Sequence, residues 1–503
     1  AGKDYNTVDM SERRLRDIYL PPYHAAVEAG VMSIMTSFNE LNGIPATANT
    51  LLLQQILRKE WGFDGVIISD FDAIGELIFH GIARDHKEAA LKSIQAGVDI
   101  DMMGDGYHFH LADLVREGLV SESMIDASVR RILMLKLQLG LFENPYVDET
   151  VTQAAFLQSQ SLDLATKAAE ETIILLKNEN DLLPIQPEYK KIALIGPFVE
   201  ERQSFLGCWA FDGQKEDVET LRESFERNFP AGTHFLYDKG CEINGDEIDF
   251  STAVQAAQAA DIVILALGEA DSMSGEAHSR AHLGLPGQRQ ALIEAIMATG
   301  KPAIAILFAG RPLAIPWLAQ NVQAILMAWH GGTQTAQAVS NILLGIANPC
   351  AKITTSFPYC EGQIPVYYSH KRTGRPYDSA GTLQFNEAHK SIYLDETNLP
   401  LYPFGFGLSY TGFSYQDLIV QTPVIETNGT LTVTINVTNI GTRPGKEIVQ
   451  CYIRDVSGSI TRPVKELKGF KKILLKPGES QLVRFDIPTD ALGFYGPEMT
   501  QIV

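Results

Sequence analysis

Positive charge is scarce in this chain: 41 Lys and Arg stand against 61 Asp and Glu, a net charge of −20. So acidic a balance argues against nucleic acid and against an anionic membrane as main partners, since both need basic surface. Long apolar runs are missing as well, and no stretch reaches the roughly 20 residues of a helical bilayer span. The opening residues Ala1-Gly2-Lys3-Asp4-Tyr5-Asn6 lack a charged-then-apolar pattern, so no signal peptide is read in this chain. Cysteine is sparse. Cys208, Cys241, Cys350, Cys360 and Cys451 are scattered without the spacing of a metal site. Only Cys350 and Cys360 are close in sequence; a disulfide there stays open, with separate thiols the expectation. His80 and His278 have no metal partners at suitable spacing, so neither a metal nor a cofactor is expected.

What is present is a globular composition, 45% hydrophobic and 20% charged over 503 residues, enough for several domains with real cores. The stretch Val66-Ile67-Ile68-Ser69-Asp70-Phe71-Asp72 is the most informative one. A short apolar run between helical patterns reads as a buried parallel strand. Polar residues at the C-terminal ends of such strands face the active site in a β/α barrel. Asp70 stands at that end, whereas Asp64 stands at the other, where an acid caps a turn.

Residues 1–145 alternate helix and strand, with strands at Val31–Phe38, Gly65–Asp70 and Val98–Met103 and helices at Asn49–Glu60, Asp85–Ala96 and Met124–Leu141. Asn39, Asp70 and Asp101-Met102-Met103 would converge at strand C-terminal ends. A closed barrel takes about 250 residues, so this segment is expected to be the C-terminal part of a (β/α)8 barrel whose N-terminal half is lacking. Residues 146–165 read as a linker. An α/β sandwich domain with a mainly parallel sheet is expected over 166–360, beginning with a helix at Leu164–Leu176. A Pro-, Gly- and Tyr-rich linker follows over 361–410. From 411 to 503 the period changes to two, with Leu431, Val433, Ile435 and Val437 alternating with polar residues, as in a fibronectin type III-like β-sandwich. The fold class is therefore α/β multidomain with an appended β-sandwich.

A second acid-rich loop follows the expected strand Asp261–Leu267 and runs from Gly268-Glu269 through Ser274-Gly275-Glu276 to Ser279-Arg280. Ligands of open α/β sheets bind beyond strand C-termini. By position, a carboxylate from each of two domains meets the requirement of glycoside hydrolysis, one as nucleophile and one as general acid and base. The blander readings stay open. Asp72 and Glu76 rival Asp70, and Glu269 rivals Glu276, since it could instead order the loop or bind a sugar hydroxyl. Asp99 and Asp101 read equally well as a structural ion-pair network. Phe38, Phe71 and Met103 would ordinarily be core, and only their strand-end positions make them a pocket wall. Trp209, set between Gly207 and Asp212-Gly213, could present its indole to a sugar face.

With these residues in view, the chain resembles glycoside hydrolase family 3, most closely its periplasmic β-glucosidase branch. The motifs include Lys3-Asp4-Tyr5-Asn6-Thr7-Val8-Asp9-Met10-Ser11, Phe38-Asn39 with Asn42-Gly43-Ile44-Pro45-Ala46-Thr47, and Glu60-Trp61-Gly62-Phe63 through Ser69-Asp70. Farther on stand Leu175-Leu176-Lys177-Asn178, Gly310-Arg311-Pro312-Leu313-Ala314, Gly362-Gln363-Ile364-Pro365-Val366-Tyr367-Tyr368 and Tyr402-Pro403-Phe404-Gly405-Phe406-Gly407-Leu408-Ser409-Tyr410. The resemblance implies a retaining exo-β-glycosidase, most specifically a β-glucosidase acting on terminal β-D-glucosyl residues. It makes Asp70 the nucleophile and Glu276 the acid/base, with Ser279-Arg280 and Leu285-Pro286 following as in the family's pattern. It places Phe38, Phe71 and Trp209 around the substrate, and Met103 joins them as a pocket wall by its strand-end position alone. It also implies a β-linked oligosaccharide or glucoside as partner and a periplasmic or secreted location, and it leaves a homodimer open. The family's sugar-holding Lys-His pair and an early Asp have no counterpart here, so an inactive carbohydrate-binding fragment and a β-xylosidase stand as alternatives.

Overall fold

In the computed structural model of the protein, residues 2–245, 249–376 and 389–503 are described, and the chain divides into two compact units. The first comprises Ala1–Ala155 with Phe494–Ile502, the second Phe156–Gly493 with Val503.

In the first unit, the strand Val66–Ile68 lies parallel to Ser33–Met35, with Ser33 opposite Val66 and Met35 opposite Ile68. Ile68 makes a further parallel bridge to Ile100. The expected strand at Val98–Met103 is reduced to that bridge, because the chain turns away where Met103 takes a left-handed φ of 65°. Helices Leu51–Glu60, His86–Ala96 and Glu122–Gln138 stand close to where the apolar periodicity puts them.

 Asp85 caps the second by accepting the Glu88 N–H at 2.9 Å. A fourth helix, Gly106–Arg116, was not expected, since its opening Gly-Tyr-His-Phe-His is made of weak helix formers. Leu53, Leu57, Ile67, Ile74, Leu77 and Val98 form the core between strand and helices.

Asp99 ties this unit together. Its fully buried carboxylate accepts Arg58 at 2.8 Å, Arg131 at 2.6 Å, the Ser128 hydroxyl at 2.7 Å and the Ile67 N–H at 2.9 Å. The ion-pair alternative is therefore the right one for Asp99. The closing hairpin Phe494–Tyr495 with Gln501–Ile502 also belongs to this unit, although it follows the sandwich in sequence. Arg13 donates to the carbonyls of Tyr495 and Gly496 at 2.9 and 3.0 Å, and the Tyr495 N–H donates to Asp17 at 2.9 Å.

The second unit is built on a six-stranded sheet in the order Ile174–Asn178, Ala324–Met327, Ala303–Phe308, Ile262–Gly268, Lys191–Ile195, His234–Asp238. All neighbours run parallel except the first pair. Successive side chains feed opposite faces: Ile262, Ile264, Ile304 and Ile306 enter one core, Val263, Leu265, Ala305 and Leu307 the other. Burial on both faces explains why these strands read as unbroken apolar runs. Each such Ile or Leu contributes about 1.5–3 kcal/mol relative to exposure.

Two expectations change here. Leu164–Leu176 is not one helix: the helix Ser159–Glu170 ends and Ile174–Asn178 becomes the antiparallel edge strand, its Leu175 opposite Leu326. The β-branched run Thr172-Ile173-Ile174 favours that switch. Residues 146–165 also contain the helix Glu149–Ala155 and the start of Ser159–Glu170, so they are not irregular. The stretch 361–410 carries the short turn Glu361–Gln363 and the bridging residues Tyr402 and Leu408, and its residues 377–388 lie outside the described ones. Phe413–Val420, Thr430–Asn439 and Ser480–Pro488 form one sheet of the sandwich, Gly445–Ile453 and Glu466–Leu475 the other. Val437, Val449, Ile473, Val483 and Phe485 fill the space between them. The chain is an α/β multidomain protein with a fibronectin type III-like sandwich, as its sequence patterns imply.

Candidate active site

In the first unit, three segments end side by side. The Thr36 N–H donates to Ile68 O at 3.0 Å and the Ser69 N–H to Ile100 O at 2.9 Å, which aligns the chain exits at 36–39, 69–72 and 101–103. The buried Ser69 hydroxyl accepts the Met102 N–H at 2.9 Å, and the Asp72 N–H donates to Met102 O at 2.8 Å. Asp70 is thus held on a fixed turn between them. Its side chain is partly buried and accepts the Phe71 N–H at 2.7 Å.

The aromatic and sulfur side chains nearby are not core. Phe71 is 59% and Met103 69% exposed, while Phe38 is half-buried and meets Tyr5 edge-on at 5.1 Å. The Phe38 carbonyl is 3.2 Å from His80 Nε2. Burial pushes the Glu76 carboxyl above the usual carboxylate range; His80 opposes this, and Asp72 and Asp70 add to it. Asp72 sits at a left-handed φ of 53°, with its side chain packed against Gly75 and Gly104.

In the second unit, the loop after Ile262–Gly268 begins with a backbone that only glycine fits. Gly268 has φ +149°, and a Cβ there would lie 1.8 Å from Phe308 O on the neighbouring strand. Glu269 follows and is fully buried. Its carboxylate pairs with Arg280 and, at 3.0 Å, with Arg311 Nε, and it accepts the Ser274 hydroxyl at 3.2 Å. Ser274 in turn accepts the Gly310 N–H at 3.3 Å. Arg311 also donates to Met273 O and, at 2.8 Å, to His278 O. Glu269 thus joins Ser274, Arg280 and Arg311 within the loop, contacts of the kind its loop-ordering alternative called for.

Glu276 stands exposed in the middle of this arc, between Gly275 at φ 103° and Ala277 at φ 62°. A Cβ on Gly275 would lie 2.6 Å from Cys208 Sγ and 3.9 Å from Trp209 Nε1, so the arc rests on the Cys208-Trp209 segment. Trp209 is 59% exposed and its ring lies 5.9 Å from that of Phe211. The structure thus groups Trp209 with Glu276 in one unit, and Phe38, Phe71 and Met103 with Asp70 in the other.

The sequence did not assign roles to Ser274, Arg311 or His330. Arg311 was visible only as part of the Gly-Arg-Pro motif, and it reaches Glu269 because Ala303–Phe308 is the next parallel strand to Ile262–Gly268. His330 is packed behind the loop, close to Gly207 and Gly310, and burial pushes its imidazole pKa down against the Ser204 backbone, Asp271 and Glu269. Its position just beyond the strand Ala324–Met327 was the available signal.

Glycoside hydrolysis employs two carboxyl groups; the chain carries one acid just beyond a parallel strand and another on a loop beyond a second sheet. The description "Glycosyl hydrolase family 3 N terminal domain" matches residues 1–135, the corresponding C-terminal domain residues 173–410, and a fibronectin type III-like domain residues 447–503. A periplasmic beta-glucosidase of Salmonella typhimurium is 40% identical over 99% of this chain and 68% of its own length. A beta-xylosidase of Formosa agariphila is 40% identical over 98% of this chain and 69% of its own. The crystal structure of a beta-glucosidase from Listeria innocua with isofagomine superposes with a TM-score of 0.93 at 39% identity, covering 100% of this chain and 69% of that one. The chain belongs to glycosyl hydrolase family 3 and is a glycoside hydrolase.

Proposed function

We propose that the protein is a retaining exo-β-glucosidase in which Asp70 is the nucleophile and Glu276 the acid/base. Asp70 attacks the anomeric carbon while Glu276 protonates the departing oxygen, leaving a glucosyl ester on Asp70. Glu276, then ionised, takes a proton from water, which attacks the anomeric carbon and releases the sugar and the Asp70 carboxylate. The observation that carries the reading is the division of labour between the two loop glutamates. Glu269 is buried and committed to two arginines, whereas Glu276 is exposed at the centre of the arc those arginines hold. Phe38, Phe71 and Met103 line the sugar's side of the nucleophile, and Trp209 offers a stacking face. The substrate is a β-linked glucoside or oligosaccharide, supported by the names of the Salmonella and Listeria relatives.

The test is turnover of aryl β-glucosides and β-xylosides by the full-length protein. Asp70→Ala should abolish it. Glu276→Ala should slow poor leaving groups far more than good ones, with added azide restoring rate; equal loss on all substrates would remove Glu276 from the acid/base role. A β-xylosidase is the second reading, favoured by the Formosa relative's equal identity, and a xyloside preference in the panel would establish it. Sugar binding without turnover would instead support the carbohydrate-binding reading. A periplasmic or secreted location is part of the proposal, drawn from the Salmonella relative's name; among the described residues no helix is long and apolar enough to cross a membrane. Release by osmotic shock, or recovery from the medium, is the expected outcome of fractionation.

A further inference from the structure

We infer that Glu269 is a positioning residue for the proton transfer: its buried carboxylate fixes the arc 273–280 and thereby sets where Glu276 points. The inference rests on the assignment of Glu276 above and says what holds that residue in place. Four residues of the arc are fastened through one hub. Before Glu276, Ser274 donates to Glu269 and Met273 O accepts from Arg311; after it, His278 O accepts from Arg311 and Arg280 pairs with Glu269. Arg311 is itself oriented by Glu269 through Nε at 3.0 Å, so its grip on both sides of the arc depends on the same carboxylate.

The arc needs such a hub. Gly275 and Ala277 flank Glu276 with φ of 103° and 62°, a left-handed backbone that an alanine does not adopt on its own account. Glu276 itself is exposed at the middle of the arc. Glu269 itself is 0% exposed, which keeps it from reaching a substrate. Its replacement by an amide of the same shape leaves two guanidinium groups without their counter-charge, and Arg311 is then free to drop the carbonyls of Met273 and His278. A small misplacement of a proton donor is costly only for the steps that need that proton.

The experiment compares Glu269→Gln, Arg311→Lys and Glu276→Ala in the full-length protein, using phenyl β-glucoside and 2,4-dinitrophenyl β-glucoside. Dinitrophenolate leaves without protonation; phenolate does not leave readily without it. Glu269→Gln should lower kcat/KM for the phenyl substrate roughly 30-fold, the scale of a misplaced catalytic group, and change it within about threefold for the dinitrophenyl substrate. Arg311→Lys, which keeps the charge and loses the fork, should move the same way by a smaller factor. The limb of the pH profile set by the general acid should weaken in both. Equal losses on the two substrates, or no loss, with Glu276→Ala still showing the split would overturn the role of Glu269. Absence of the split in Glu276→Ala would instead bring down the acid/base assignment and this inference with it. If Glu269→Gln does not fold, Arg311→Lys and Ser274→Ala decide the matter by the same ratio.

Discussion

Arg58 lies 2.8 Å from Asp99, a carboxylate with no exposed surface that meets Arg131 at 2.6 Å on its other oxygen. Burial pulls the Arg58 guanidinium pKa down, and Asp99 is the main group opposing it. Breaking one member of a buried ion group strands the others. Asp99→Asn should therefore destabilise the first unit by about 3–5 kcal/mol. Urea unfolding followed by far-UV circular dichroism measures it. A loss below about 1 kcal/mol, the scale of a surface pair, would mean that the arginines are hydrated rather than held.

Gly268 carries a second prediction. A Cβ there would lie 1.8 Å from Phe308 O, and the φ of +149° is itself unfavourable for alanine. The atom met is backbone in the centre of a parallel sheet, so neither partner yields without breaking the ladder. Gly268→Ala should cost more than the ~1–3 kcal/mol of ordinary overpacking, and the variant should be recovered as insoluble protein. A soluble variant with an unchanged melting temperature would show that the two strands can separate.

The place of Asp70 just beyond the strand Val66–Ile68 was legible because its signal is local: an apolar run ends and acids begin. The sheet strands were legible for a related reason, since burial on both faces leaves an unbroken apolar run. The burial of Glu269 against the exposure of Glu276 had no such signal. It turns on Arg311, 42 residues away, and on the adjacency of two parallel strands. Asp99 was equally ambiguous, with Arg58 41 residues before it and Arg131 32 after. The strand Ile174–Asn178 was read as helix because a short apolar run fits either period, and pairing with Ala324–Met327 decides it.

The helix Leu221–Asn228 begins with a reciprocal cap: the Glu223 N–H donates to the Thr220 hydroxyl at 3.1 Å, and the Thr220 N–H donates to Glu223 at 2.9 Å. That backbone hydrogen bond is the main reason the Glu223 pKa lies below the usual carboxylate value. A depressed folded pKa gives stability that is present above the unfolded value of about 4.3 and lost as pH falls through the folded one. Glu223→Gln should therefore reduce stability at pH 7 and converge with the parent in acid. Thr220→Ala should cost about 1 kcal/mol at neutral pH. Melting curves at pH 7 and pH 3 test both, and a Glu223→Gln deficit that persists unchanged in acid would exclude the charge as its source.

All five cysteines are free thiols, Cys350 and Cys360 included. Cys208 is exposed, whereas Cys241 and Cys350 are buried and burial pushes both thiols up. Iodoacetamide on the native protein should label Cys208 first. After denaturation without reductant, all five should be alkylated. A pair at Cys350 and Cys360 that labels only after reduction would restore the disulfide left open by their spacing.

Glu76 gives a pH dependence of the opposite sign. Its carboxyl is pushed up first by burial, with His80 opposing and the carboxylates of Asp72 and Asp70 contributing further. A raised folded pKa means that the folded chain prefers the proton: the stabilisation is full below the unfolded value near 4.3 and disappears as pH rises through the folded one. Glutamine imitates the protonated side chain at every pH. Glu76→Gln should therefore match the parent's melting temperature at about pH 4, below the unfolded value, and exceed it at about pH 7, where the parent's carboxyl is ionised. The gain should be larger in low salt, because part of it comes from repulsion among carboxylates. A variant less stable than the parent at neutral pH would show that attraction between Glu76 and His80 outweighs both burial and the two aspartates.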